Sequence, residues 1–128
     1  MKHRAKNDFI NYRISRANET LDEVHELMKL GYLQTAVNRI YYACFYAVNA
    51  LLLKHSIRSR THCGVQRMFG LHFIKTKIIS SELGKFYTDL FDKRHTGDYD
   101  DFVEFDKQTV NDLYVSAKEF VRMIEKLI

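Results

Sequence analysis

An arginine followed at once by a histidine, with an aspartate and a tyrosine shortly after, is the densest chemistry in this 128-residue chain. The stretch reads Arg94, His95, Thr96, Gly97, Asp98, Tyr99. A guanidinium holds a phosphate through two parallel hydrogen bonds, and a neighbouring imidazole takes or gives a proton near neutral pH. Cleaving RNA through its own 2′-hydroxyl needs no metal, only a base, an acid for the leaving oxygen and charge stabilisation. Arg94 lies one turn past Leu90 on the inward stripe of an expected helix, so its charge should reach a pocket or a buried acid. A structural alternative stays open: Arg94 paired with Asp98 or Asp92, and His95 satisfying the last helix carbonyls.

Two further groups could meet an anion. Arg58, Ser59, Arg60, Thr61 and His62 form a basic run suited to phosphate contact, or a solvated connector. Arg39, Tyr42, Tyr46 and Asn49 fall on one helical stripe, apolar in body and polar at the tips, which should line a pocket or a subunit contact. His3, His25 and His72 are isolated, and the two cysteines, Cys44 and Cys63, have no metal-ligand spacing. There is no P-loop, no dinucleotide glycine pattern, no Gly-x-Ser-x-Gly and no zinc signature, so neither a metal nor a cofactor is expected.

The elements that must position these groups are helices. The run 39–53 is apolar nearly all round, with Ile40, Cys44, Ala47 and Leu51 on one face and Tyr41, Phe45, Val48 and Leu52 on the next. Such a helix is the buried centre of a bundle. The spacing predicts helices over about 5–29, 32–55, 63–73, 81–95 and 107–126. The first carries Phe9, Arg13, Ala17, Leu21, Val24 and Met28 near one face, with Gly31 as its stop. Ser80 or Ser81 should cap the fourth and Asp106 the fifth, with a loop over 96–105 broken at Gly97. The last helix shows a wide apolar face of Val110, Leu113, Tyr114, Ala117, Phe120, Val121, Ile124 and Ile128. No alternating strand is visible. An all-α, up-down bundle of about five helices follows, as a single domain over 1–128.

Composition agrees. The chain has no proline, 46% hydrophobic and 28% charged residues, which is ordinary for a globular domain. Its net charge of +4 conceals a division: no acid stands between Glu26 and Glu82, whereas Asp98, Asp100, Asp101, Glu104 and Asp106 crowd together later. That polarity favours a polyanion or an acidic partner, or else only a basic face. The 39–53 run falls short of the roughly 18–20 residues that span a bilayer. The segment 1–8 is basic and polar rather than a signal sequence. A cytoplasmic, reduced protein is expected.

The chain resembles the HEPN family of small helical bundles. The resemblance rests on Arg39, Tyr41, Tyr42, Ala43, Phe45, Ala47, Ala50, Leu51 and Leu52 in the second helix and on His62 and Gly64 opening the third. Leu90, Arg94, Asp98 and Tyr99 then match the end of the fourth, and Ala117, Phe120 and Val121 the last helix. The resemblance covers about residues 5–128. It implies a homodimer and pairing with a small nucleotidyltransferase of the MNT type in a toxin–antitoxin-like module. It also implies a metal-independent ribonuclease motif of Arg, four to six residues, then His. This chain departs from that motif, since Tyr99 stands where the His is expected. A tyrosine, with a pKa of about 10, is a poor base at neutral pH. The sequence therefore points first to a nucleotide- or RNA-binding component of such a pair. An active ribonuclease and a non-catalytic dimerisation module are the alternatives. Arg94, His95 and Tyr99 are its candidate catalytic residues, and Arg39, Tyr42, Tyr46, Arg58, Arg60, His62 and Asp98 its candidate phosphate contacts. If the partner transfers a nucleotide, Tyr99 is the candidate acceptor.

Overall fold

With no proline in the chain, caps, glycines and burial are left to end each helix. The structure, a computed structural model, describes the backbone of residues 3–99 and 104–128 and the side chains of residues 4–93 and 104–128. Among these residues there are five α-helices and no strand. They are α1 (His3–Lys29), α2 (Leu33–Lys54), α3 (His62–Phe69), α4 (Ser81–Tyr99) and α5 (Lys107–Lys126). A π-helical turn, Gly70–Ile74, prolongs α3.

The α1–α2 hairpin turns on Gly31, whose φ of 80° is left-handed. Its N–H donates to Met28 O and that of Tyr32 to Leu27 O, the paired bonds of a glycine C-terminal stop. The two helices then run antiparallel. Lys6 meets Ser56, Arg16 sits over Tyr46, and Arg39 faces Glu23, so position falls on one helix as it rises on the other.

The central helix is α2, which packs against α1, α3, α4 and α5. Ile40, Cys44, Ala47 and Leu51 are fully buried, as are Tyr41 and Val48 on the adjacent stripe. The polar-tipped stripe of Arg39, Tyr42, Tyr46 and Asn49 is half-buried. Asp106 caps α5 by accepting the Thr109 N–H at 2.7 Å, and Ser80 caps α4 by accepting that of Leu83 at 3.3 Å. Phe120 of α5 stacks on Tyr87 of α4 at 5.7 Å and meets Phe69 of α3 at 5.9 Å, so one aromatic layer joins three helices.

Three details differ from the sequence reading. Phe9 is 51% exposed, and its neighbour Ile10 takes the core position at 4%. The inner stripe of α1 runs through Ile10, Ala17, Leu21 and Val24, and one residue of offset rotates a side chain by about 100°. Second, α4 does not stop at His95 but continues through Gly97 to Tyr99. A mid-helix glycine costs only about 1 kcal/mol relative to alanine and need not break a helix. Third, the segment after Phe69 is π-helical rather than α-helical.

Cys44 is fully buried and its burial pushes the thiol well above the ordinary range, whereas Cys63 is exposed. A thiol reagent should therefore modify Cys63 alone in the native protein and both cysteines in denaturant. Two rapid equivalents under native conditions would contradict this packing.

The Asp106 carboxylate is held below its usual range by the Thr109 N–H. A lowered folded pKa contributes stability above the ordinary carboxylate pKa of about 4, and loses it as pH falls through the folded value. Asp106→Ala should thus lower the melting temperature at pH 7 and matter progressively less in acid, which thermal unfolding across pH checks.

Candidate functional site

The buried stripes of α2 carry one phenol whose polar end must be satisfied, the hydroxyl of Tyr41. Its residue is 0% exposed, and a buried phenol needs a hydrogen-bond partner. His62, the first residue of α3, provides it, with Nδ1 at 2.7 Å from the hydroxyl. The imidazole stacks on Phe45 at 4.3 Å and meets Tyr42 edge-on at 5.6 Å. Tyr41 in turn stacks on Tyr87 at 6.0 Å and meets Phe91 at 5.9 Å, so the aromatic cluster ties α2 to the start of α3 and the middle of α4.

Local sequence explains why His62 stands there. Thr61 caps α3 by accepting the Gly64 N–H at 2.9 Å. The connector folds so tightly over this first turn that a Cβ at Gly64 would lie 2.2 Å from Ser59 Oγ and 2.9 Å from Thr61 Oγ1. Glycine at that position lets the connector close against α3 and brings Arg58, Arg60 and His62 onto one short segment. Arg58 and Arg60 are exposed there, and neither forms an ion pair among the described residues.

Two arginines bordering the aromatic face of α2 are engaged. The Arg39 guanidinium lies over the Tyr42 ring at 5.5 Å, with Nε at 3.7 Å from Glu23 of α1. Arg16 covers Tyr46 at 5.5 Å and bonds Glu19 at 3.0 Å. The hydrogen bond with Glu19, and after it one with Tyr46, raises the Arg16 pKa further. Asn49 donates its amide to Phe45 O. The stripe is thus a half-open face of α2 bordered by arginines rather than a closed cavity.

α4 runs antiparallel to α3: Ile74 packs at Gly84, Phe69 against Tyr87, and Gln66 bonds Thr88 at 3.0 Å. Phe91 and His62 both touch Tyr41, so the backbone from Asp92 to Tyr99 continues beyond that level, by about 12 Å at 1.5 Å per residue. Arg94, His95, Asp98 and Tyr99 occupy this extension, and their side chains lie outside the described residues.

A family model described as HEPN domain matches residues 10–127. The chain belongs to the HEPN family. A Thermotoga maritima relative named UPF0332 protein is 46% identical over 123 residues, which is 96% of this chain and 93% of that one. Two relatives come from Methanocaldococcus jannaschii. One, named "Putative toxin MJ0142", is 34% identical over 90% of this chain and 78% of its own length. The other, named "Putative toxin MJ0605", is 31% identical over 90% of this chain and 85% of its own.

In this HEPN chain the sequence candidates divide into two groups. Arg39, Tyr42, Tyr46, Arg58, Arg60 and His62 are described, and the structure joins Tyr42 directly to His62 and to Arg39. Sequence reasoning missed the partnership of Tyr41 with His62, the packing of Tyr87 and Phe91 on Tyr41, and the pairing of Glu23 with Arg39. The available signal was that a tyrosine on a buried stripe demands a partner. No cluster of three or more His, Cys, Asp or Glu able to hold a metal occurs among the described residues. Nor, among them, is any helix long and apolar enough to cross a membrane.

The contact of Ser59 with Gly64 can be tested by a double-mutant cycle. Ser59→Ala and Gly64→Ala together should be more stable than the sum of the single changes, by about 1 kcal/mol, because truncating Ser59 removes the nearer of two overlaps and leaves only that with Thr61 Oγ1. Additive effects in denaturant unfolding would contradict the close approach.

Proposed function

We propose that this HEPN chain acts in the cytoplasm as the RNA- or nucleotide-binding toxin component of a two-protein module, and that it works as a homodimer. Its partner is an MNT-type nucleotidyltransferase. The observation that carries this reading is the alignment of 90% of the chain with each of the two toxin-named relatives. The geometry supports it. A half-buried imidazole, two exposed arginines without ion pairs among the described residues and an aromatic face share one end of the bundle, toward which α4 extends. Arg94 clamps the phosphate in this reading, with His95, Asp98 and Tyr99 beside it. Arg58, Arg60, Tyr42 and Tyr46 guide the chain of the ligand. Arg39 contributes less because Glu23 competes for it. Transfer of a nucleotide onto Tyr99 would silence the site by occupying its anion-binding groups.

Expression of the protein alone in a bacterial host should arrest growth. Arg94→Ala should restore growth while the purified variant keeps its helical spectrum and melting temperature, and co-expression of a neighbouring nucleotidyltransferase should do the same for wild type. In a gel-shift titration Arg94→Ala should lose RNA binding, with Arg58→Ala and Arg60→Ala weakening it in a salt-dependent manner. Growth unaffected by wild type, with no RNA or nucleotide bound, would overturn the reading. A large loss of stability in Arg94→Ala would instead identify Arg94 as a buried structural ion.

A further inference from the structure

α3 with its π-helical turn is pinned to α4 at two levels. Gln66 bonds Thr88 at 3.0 Å, and Ile74 presses on Gly84, where an added Cβ would lie 2.9 Å from it. Eight residues separate Gln66 from Ile74, about 12 Å at 1.5 Å per residue. Between the pins the π-helical turn begins at Gly70, closed by the Lys75 N–H on Gly70 O at 2.8 Å. A Cβ at Gly70 would meet nothing within 4 Å, so the wall is open there. The result is a cleft of about 360 Å³, floored by Phe69, Ile74 and Tyr87. That volume falls at the small end of the range for ligand sites, about 300–1,000 Å³. π-helical turns also recur at functional sites.

The rim carries one sign of charge. Lys75 and Lys85 line the cleft beside the Ile74–Gly84 pin, and among the described residues no acid lines it. Lys85 is held by Asp89 at 3.0 Å. Lys75 is exposed, and its ammonium has no ion pair or hydrogen bond among the described residues. At the other pin Gln66 and Thr88 are occupied with each other. A narrow apolar slot with a free ammonium at one end matches a flat hydrophobic ring that bears an anionic group. One free ammonium matches one negative charge, a carboxylate rather than a phosphate dianion. A cationic ligand would find no counter-charge on the rim.

We infer that this cleft binds a small aromatic carboxylate, with the ring between the two pins and the carboxylate on Lys75. The site shares no residue with the arginines of the connector, and the inference is independent of the RNA-binding reading.

The test uses the full chain with two isosteric probes, 2-naphthoate and the neutral 2-naphthamide, titrated calorimetrically. Wild type should bind one equivalent of 2-naphthoate, about tenfold more tightly than 2-naphthamide, and melt higher in its presence. Lys75→Gln should remove that preference and bind the two probes alike. Gly70 has an ordinary right-handed helical backbone, so Gly70→Leu fills the slot without strain. It should lose both probes while melting no lower than wild type and keeping its RNA affinity. Arg58→Ala should leave naphthoate binding unchanged. Wild type that binds neither probe, or binds both equally, overturns the inference. So does Gly70→Leu that binds naphthoate as wild type does. If Gly70→Leu fails to fold, Lys75→Gln decides, and an undiminished preference for naphthoate overturns the inference.

Discussion

The constraint from which the rest follows is that α2 has no side it can turn fully to water. Half of its 22 residues are buried, and α1, α3, α4 and α5 each cover part of it. Apolar burial of this kind contributes about 25 cal/mol per Å² removed from water. The same burial makes every polar atom on the helix expensive unless it is paired. Tyr41 is where the two demands meet. Its ring touches Tyr42, Phe45, His62, Tyr87 and Phe91, and its hydroxyl fixes the first residue of α3. Core packing thereby determines where the His62 imidazole stands.

What sequence reading recovers depends on how local the cause is. Asp106 and Ser80 as caps and Gly31 as a stop act within one turn of chain, and all three were legible. The two buried stripes of α2 were legible because an unbroken apolar run leaves few choices of phase. On α1 the apolar residues are sparser, and Phe9 outweighed Ile10 by size although the bundle axis selects Ile10. Gly97 misled for the opposite reason: glycine is a strong local signal, but its cost is small beside the helix it interrupts. The π-helical turn answers packing between α3 and α4, where Ile74 meets Gly84, and no single-segment pattern encodes that contact. The site was legible as a list of residue types. Their association was not, because Tyr41 and His62 are 21 positions apart and meet only once the connector has folded back.

The antiparallel register of α1 and α2 also redistributes charge. The long acid-free stretch reads as strongly basic along the sequence, yet α1 lays Glu23 beside Arg39 in space. On this face, Arg58 and Arg60 of the connector thus stand without the carboxylate that Arg39 of α2 has beside it. Exposed ion pairs of this type add little stability, about 0–1 kcal/mol, so their effect is on the field rather than on the fold.

That pairing has a consequence in the language of counterions. A cation already matched by a carboxylate has few condensed anions to give up, so a polyanion reaching Arg39 gains little entropy from displacing them. Arg58 and Arg60 have no matching acid among the described residues and so have more of an ionic atmosphere to release than Arg39 does. Between these two groups of described cations, the dependence of anion affinity on salt therefore falls more on the connector, and Arg39 on α2 adds contact area and orientation that ionic strength changes less.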